Sequence, residues 1–158
     1  MRRSRRLFQF ALFLLLVPGS VMLWIPAFLV FVVAGWGYFK GQEPNPFGFA
    51  LIVPGFVLFA WCVVDFVLQG KGTPSPLDPP KRLVVRGPYR RSRNPMYVGV
   101  LLVVIGEALL LRSKMMLNHA VCTAIAFHLW TVLHEEPYLL RAHGDAYREY
   151  CRRVRRWI

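Results

Sequence analysis

Glu135 and Glu136 stand side by side where a long apolar stretch gives way to a chain end crowded with arginine. Two adjacent carboxylates in such a setting need positive charge nearby. Either the arginines of a central loop supply it as salt bridges, or a cationic ligand such as an amino group does. The residue types leave both open. Asp65 and Glu107 are the acidic residues inside apolar stretches, and an ionisable group at membrane depth is costly enough to require a role. Asp65 lies near a span end that can reach water, which suits a structural or capping role. Glu107 is close enough in sequence to pair with Arg112 or Lys114. His119 and His128 read as hydrogen-bonded packing residues rather than metal ligands. Cys62, Cys122 and Cys151 are far apart, lack metal-ligand spacing and indicate no disulfide framework. Cysteine in an apolar stretch behaves as a small hydrophobe.

The elements that must position these groups follow from how charge is distributed. The chain of 158 residues is 56% hydrophobic yet carries a formal net charge of +12, and the charges are segregated rather than interspersed. Residues 7–39 contain none, 47–68 only Asp65, 96–111 only Glu107, and 115–133 none. A helix needs ~20 apolar residues to cross a ~30 Å hydrocarbon core. The expected fold class is therefore an all-α integral membrane protein of about four transmembrane helices, one domain over 1–158. It divides into a first span plus a re-entrant or interfacial piece (7–39), a second span (47–69), a loop (70–95), a helical hairpin (96–134) and a C-terminal interfacial helix (135–158). Pro18-Gly19 and Pro26 interrupt the first stretch, so the span is expected to stop near Trp24. The run beginning MRRSRR continues apolar past any short signal core and reads as a retained helix.

All but Lys40, Arg112 and Lys114 of the 20 basic residues fall on one side of this arrangement. The positive-inside bias puts that side, and both termini, in the cytoplasm. A multi-pass protein of a bacterial inner membrane is the expectation. The basic clusters abut spans, which suits anionic lipid headgroups and not nucleic acid. The stretch GKGTPSPLDPP is too rich in proline for a helix. Beyond it, Leu140, His143, Tyr147, Tyr150, Val154 and Trp157 alternate at spacings of three and four, one face of a basic amphipathic helix.

Read in order, RLVVRGPYRRSRNPMYVG, a hydrophobic hairpin, EEPYL and HGDAYREY resemble the isoprenylcysteine carboxyl methyltransferase and phospholipid methyltransferase superfamily. Its pattern runs GPY-R-x-x-R-[HN]-P-x-Y-x-G, then EE, then FG-x-x-Y-x-x-Y. The resemblance covers residues 82–154 and implies a helical membrane enzyme that binds S-adenosyl-L-methionine at its cytoplasmic face without a Rossmann sheet. It implies a cofactor pocket lined by Leu83, Val84, Tyr89, Arg93, Asn94, Pro95, Met96 and Tyr97. One of Glu135 and Glu136 would meet the cofactor's ammonium, and Tyr147 and Tyr150 would close the pocket. Glu136 and Arg93 are the residues expected to matter most for the reaction. The acceptor would be a lipid or another membrane-partitioned small molecule.

Two departures bear on the acceptor. Carboxyl-methylating members carry an arginine about one turn before the cofactor glutamate, whereas Thr131 and Val132 occupy that region here. A prenylcysteine carboxylate is therefore disfavoured. His143-Gly144 replaces the FG of the pattern, and His143 reads as a surface residue. Two further readings stand beside the methyltransferase. One is an NADPH-dependent membrane reductase on a related scaffold, with Arg90, Arg91 and Arg93 on its phosphates. The other is a non-catalytic membrane adaptor.

Overall fold

The computed structural model describes residues 18–34, 43–69 and 83–158, and these are helical with no strand beyond one isolated bridge. The basic N-terminal cluster, the start of the first span, residues 35–42 and the proline-rich part of the central loop lie outside the described residues. We number the helices α1 (residues 20–34), α2 (Phe49–Gln69), α3 (Pro95–Leu110), α4 (Lys114–Trp130), α5 (Glu136–His143) and α6 (Asp145–Arg153). Two of the apolar helical segments, Pro46–Phe66 and Lys114–His143, are long and apolar enough to cross a membrane. Most of their residues are not buried inside the molecule, unlike the core helix of a soluble domain. The apolar helices Ser20–Phe31 and Pro95–Leu110 are shorter.

α2 and α3 pack antiparallel along a seam of small residues. Gly55 faces Gly99 and Gly48 faces Gly106, so closely that a Cβ on Gly99 would lie 2.9 Å from the Gly55 carbonyl oxygen. Small residues let helix backbones approach where lipid removes the hydrophobic drive for association. Asn45 locks one end of the seam. Its N–H donates to the Leu110 carbonyl at 2.9 Å, and its side chain accepts from the Phe47 N–H. The outward face of α2, with Phe49, Phe56, Val57 and Trp61, is exposed.

α3 reverses into α4 through a short turn in which Arg112 takes φ 48° and Ser113 caps α4 by accepting from the Met116 N–H. Val100, Val103, Val104 and Ala120 form a core with Met22 of α1, and Val30, Ala108 and Met116 extend it. His119 meets the Val21 carbonyl at 3.0 Å. Along α4 and its continuation, Leu117, Val121, Ile125, Leu129 and Leu133 recur every fourth residue as an exposed apolar ridge.

Four expectations change. The helix does not stop at Trp24, because the turn Ser20–Trp24 widens and the Ile25 N–H reaches the Ser20 carbonyl. Proline cannot donate, and its ring crowds the carbonyl four residues back; the wider turn accommodates Pro26 without breaking the helix. The same device precedes Pro137. The turn Thr131–Glu135 is wide, the Glu136 N–H reaches Thr131, and the helix carries on to His143. The carboxylate pair therefore sits inside a helix and not at its end. The single helix expected over 135–158 is two, broken at Gly144, whose φ of 53° suits glycine. Finally, Glu107 forms no ion pair with Arg112 or Lys114. Those cations are exposed, while the Glu107 Oε2 is buried without a hydrogen-bond partner among the described residues.

Gly99→Leu should lower the thermal midpoint of the detergent-solubilised protein markedly, since overpacking a tight contact costs about 1–3 kcal/mol or more. Val53→Leu on the exposed face of α2 should stay within about 0.5 kcal/mol of wild type. Equal midpoints for the two variants, read by circular dichroism, would refute the seam.

Candidate functional site

The residues around Arg93 enter α3 through a compact turn. Gly87 opens it at φ 53°, where an added Cβ would collide with the Asp65 carboxylate at the end of α2. Asp65 is thus a buried packing partner of this turn. Pro88 occupies the second position of the turn Gly87–Arg90, and Pro95 the first position of α3, where a missing N–H costs nothing. Arg93 and Tyr97 are four residues apart and lie on one face of the α3 entrance.

Glu135 and Glu136 arrive from the wide turn opposite. Arg93 Nη1 donates to Glu136 Oε1 at 3.0 Å, and the Tyr97 hydroxyl donates to Glu135 Oε2 at 3.1 Å. A second guanidinium grips Glu136 as a fork. Arg156 Nε donates to Oε1 at 2.8 Å and Nη2 to Oε2 at 3.0 Å. Such bidentate, charge-assisted pairs are the strong ones. The Arg93 and Glu136 side chains are only 15% and 19% exposed. Removing one partner of a largely buried pair costs about 3–5 kcal/mol, because the other charge is stranded. Arg93 Nη1 also donates to Cys151 Sγ at 2.8 Å, so Cys151 is more than an inert hydrophobe.

The chain after α6 holds this cluster together. The Arg93 N–H donates to the Arg155 carbonyl at 2.9 Å, and Asn94 Nδ2 to the Arg156 carbonyl at 3.0 Å. Ser92 Oγ contacts the Arg156 carbonyl at 3.4 Å and accepts from the Asn94 N–H. The Tyr150 hydroxyl donates to the Tyr89 carbonyl at 2.7 Å. Tyr147, Tyr150 and Val154 pack with Leu83, Leu139 and Cys151. The apolar face of α6 is therefore buried against the protein. The arginines on its other face, Arg148, Arg152 and Arg153, are exposed and paired with Asp145 and Glu149, in contacts of little energetic weight.

The residues named from the sequence thus fall into two neighbourhoods. Arg93, Asn94, Tyr97, Glu135 and Glu136 converge on the ion cluster, with Leu83, Tyr147 and Tyr150 beside it. Val84, Tyr89 and Met96 pack instead with Cys62 of α2, and Phe66 meets the Tyr89 ring edge-on at 5.4 Å. Pro95 is buried at the α3 start. Phe127 stacks on Tyr97 at 4.5 Å. One turn further along, Thr131 is 1% exposed and its hydroxyl has no hydrogen-bond partner among the described residues. Sequence reasoning missed Arg156, because nothing separates it from its neighbours in the run RRVRR. It also missed Ser92, whose only signal is its place in the motif loop. His143 lies at the α5 end, partly exposed.

The phospholipid methyltransferase family model matches residues 45–146, nearly two thirds of the chain. No curated protein and no solved structure matches it. The matched stretch contains Arg93, Tyr97, Glu135 and Glu136 and stops short of Tyr147, Tyr150 and Arg156.

Burial pushes the Tyr147 and Tyr150 hydroxyls above the ordinary tyrosine range, and for Tyr150 the nearby Arg93 opposes it. The fold favours the neutral form of each. Their contribution to stability is full below the unfolded value of about 10 and is lost as pH rises through the folded value. Alkaline titration followed by tyrosinate absorbance should show at least these residues ionising late, together with unfolding. Tyr150→Phe should remove one late-titrating group. Titration of all tyrosines at the free value in folded protein would refute this burial.

Proposed function

The chain belongs to the phospholipid methyltransferase family, a membrane methyltransferase family, and from that premise we propose that it transfers the methyl group of S-adenosylmethionine to a lipid headgroup at the cytoplasmic membrane face. The observation that carries this reading is the juxtaposition of Arg93, Glu135, Glu136 and Arg156 where the α3 entrance meets the wide turn. The amino-acid end of the cofactor is a zwitterion. It needs an anion for its ammonium and a cation for its carboxylate, and the donor set fits. Glu136 is already neutralised by two guanidiniums, whereas the Tyr97 hydroxyl is the one partner of Glu135 among the described residues. Glu135 is therefore our choice for the ammonium. Arg93 is our choice for the carboxylate, because its Nε is buried without a partner among the described residues, a state that costs free energy until a partner arrives.

When bound, S-adenosylmethionine supplies an electrophilic methyl group on a sulfonium, which moves in line to a nucleophile. The protein's contribution to such a displacement is alignment and exclusion of water. Tyr97 fixes Glu135, and the Phe127 ring stacked on Tyr97 walls the site with apolar surface. The helix face carrying Phe127 of α4 and Thr131 and Glu135 of its continuation bears no lysine or arginine that would receive a carboxylate. We therefore take the acceptor to be an amine-bearing lipid reaching the site laterally; its ammonium gives a proton to water, and the free amine forms the new N–C bond as the S–C bond breaks and the thioether leaves. The reductase reading loses support, because the family matched over residues 45–146 is a methyltransferase family. We retain the four-helix, multi-pass topology with cytoplasmic termini in a bacterial inner membrane as part of this proposal, the basic segments facing anionic headgroups.

Calorimetry on the detergent-purified, lipid-supplemented protein should show saturable binding of S-adenosylmethionine. Glu135→Gln should weaken it by roughly tenfold or more, as expected for a lost buried charge contact, and Glu136→Gln by distinctly less. With a labelled methyl group, an amine phospholipid should be methylated and a prenylcysteine analogue should not. Absence of binding by folded wild-type protein would sink the cofactor reading. Label on the prenylcysteine analogue alone would sink the acceptor.

A further inference from the structure

Arg156 is the tail arginine that turns inward. Arg152 and Arg153 pair with Glu149 on the outer face, and Arg155 is exposed. Its place is set by the loop that carries Arg93. The Ser92–Arg155 bridge, the Arg93 N–H on the Arg155 carbonyl and Asn94 on the Arg156 carbonyl fix the register of the two segments. That register sends two guanidiniums to one carboxylate. They hold it unequally: Arg156 uses a two-bond fork on both oxygens, Arg93 a single nitrogen shared with Cys151.

One carboxylate can balance only one guanidinium. If Arg93 alone held Glu136, moving it to a ligand would strand a largely buried carboxylate, at the cost of an uncompensated charge. With the fork in place, Arg93 can leave and Glu136 stays neutralised. We propose that Arg156 is a positioning residue for cofactor binding: it satisfies Glu136 by itself and so releases Arg93 to take the carboxylate of the cofactor's amino-acid end. This inference rests on the cofactor reading above. It assigns the segment after α6 a part in binding, although that segment lies beyond the stretch matched to the family. Glu136 bonding holds the Arg156 guanidinium protonated more firmly than usual, consistent with a standing counterion.

The test is a double-variant cycle read by calorimetric affinity for S-adenosylmethionine, with thermal midpoints alongside. Arg156→Gln should weaken binding by roughly tenfold or more, since Arg93 is then held by Glu136. Adding Glu136→Gln should recover most of that loss, because Arg93 no longer has a carboxylate to guard. A purely structural tail would not be rescued by removing a second ion-pair partner. Arg156→Lys keeps the charge without the fork and should fall between wild type and Arg156→Gln; it serves with the double variant where Arg156→Gln is too unstable to purify. Wild-type affinity in Arg156→Gln, or a loss that Glu136→Gln leaves unrepaired, overturns the inference and leaves the cofactor reading standing. Folded wild-type protein that binds no S-adenosylmethionine overturns both.

Discussion

The Glu136 carboxylate held between Arg93 and Arg156 is the interaction on which the organisation of this face depends. It joins three segments far apart in the chain: the loop entering α3, the wide turn between α4 and α5, and the residues after α6. Lipid removes the hydrophobic drive for association between membrane-embedded helices, so apolar packing alone does not fix how the segments at their ends meet. Charge-assisted hydrogen bonds in a partly dry setting fill that gap, and they are directional. The fork from Arg156 requires the tail to lie in one register along residues 92–94, and the backbone bonds there enforce it. Charge and backbone thus support the same arrangement.

Local backbone irregularity makes that convergence geometrically possible. Adjacent residues on a regular helix point about 100° apart, which would leave one of two neighbouring carboxylates facing away from α3. The widened turn before Pro137 changes the local winding, and both carboxylates reach partners at the α3 entrance, Glu136 to Arg93 just before the helix and Glu135 to Tyr97 in its first turn. A proline follows each of these two wide turns, Pro26 in α1 and Pro137 here, whereas Pro54 sits inside α2 without one. The rigid reference for this geometry is α3, pressed on one side into α2 through facing glycines and on the other into α4 through Val104, Ala120 and the Tyr97–Phe127 stack.

Much of this was legible in the sequence because membranes impose blunt rules. Charge-free runs become helices, basic residues collect at their ends, and Glu135-Glu136 stands out as acid in a basic region. The α3 entrance was readable from the spacing of Gly87, Pro88, Asn94 and Pro95. Less was legible where a rule has two outcomes. Periodicity showed that α6 has an apolar face but not whether lipid or protein covers it, and Tyr147, Tyr150 and Val154 turn out to face Leu83 and Leu139. Proline announced a disturbance at Pro26 but not whether the helix would end or merely widen. Proximity in sequence suggested cations for Glu107, yet exposed arginine and lysine gain more from water than from a buried partner. Arg156 was hidden among identical neighbours; only the tertiary register distinguishes it from Arg155.

Charge balance bears on what a cluster of this kind can bind. Two guanidiniums and two carboxylates meet at the boundary of the helices, so the cluster carries no formal net charge of its own. In a low-dielectric setting each uncompensated charge is costly, and a neutral cluster can be desolvated more cheaply than a charged one. An amino-acid zwitterion adds one charge of each sign, so partners can be exchanged without creating an unpaired group. Under the proposed reading, binding is a redistribution of ion pairs in which Glu136 keeps Arg156, Arg93 changes partner and Glu135 gains one. Specificity would then come from the spacing of Arg93 and Glu135, set by the α3 turn and the widened helix opposite, more than from any single strong contact.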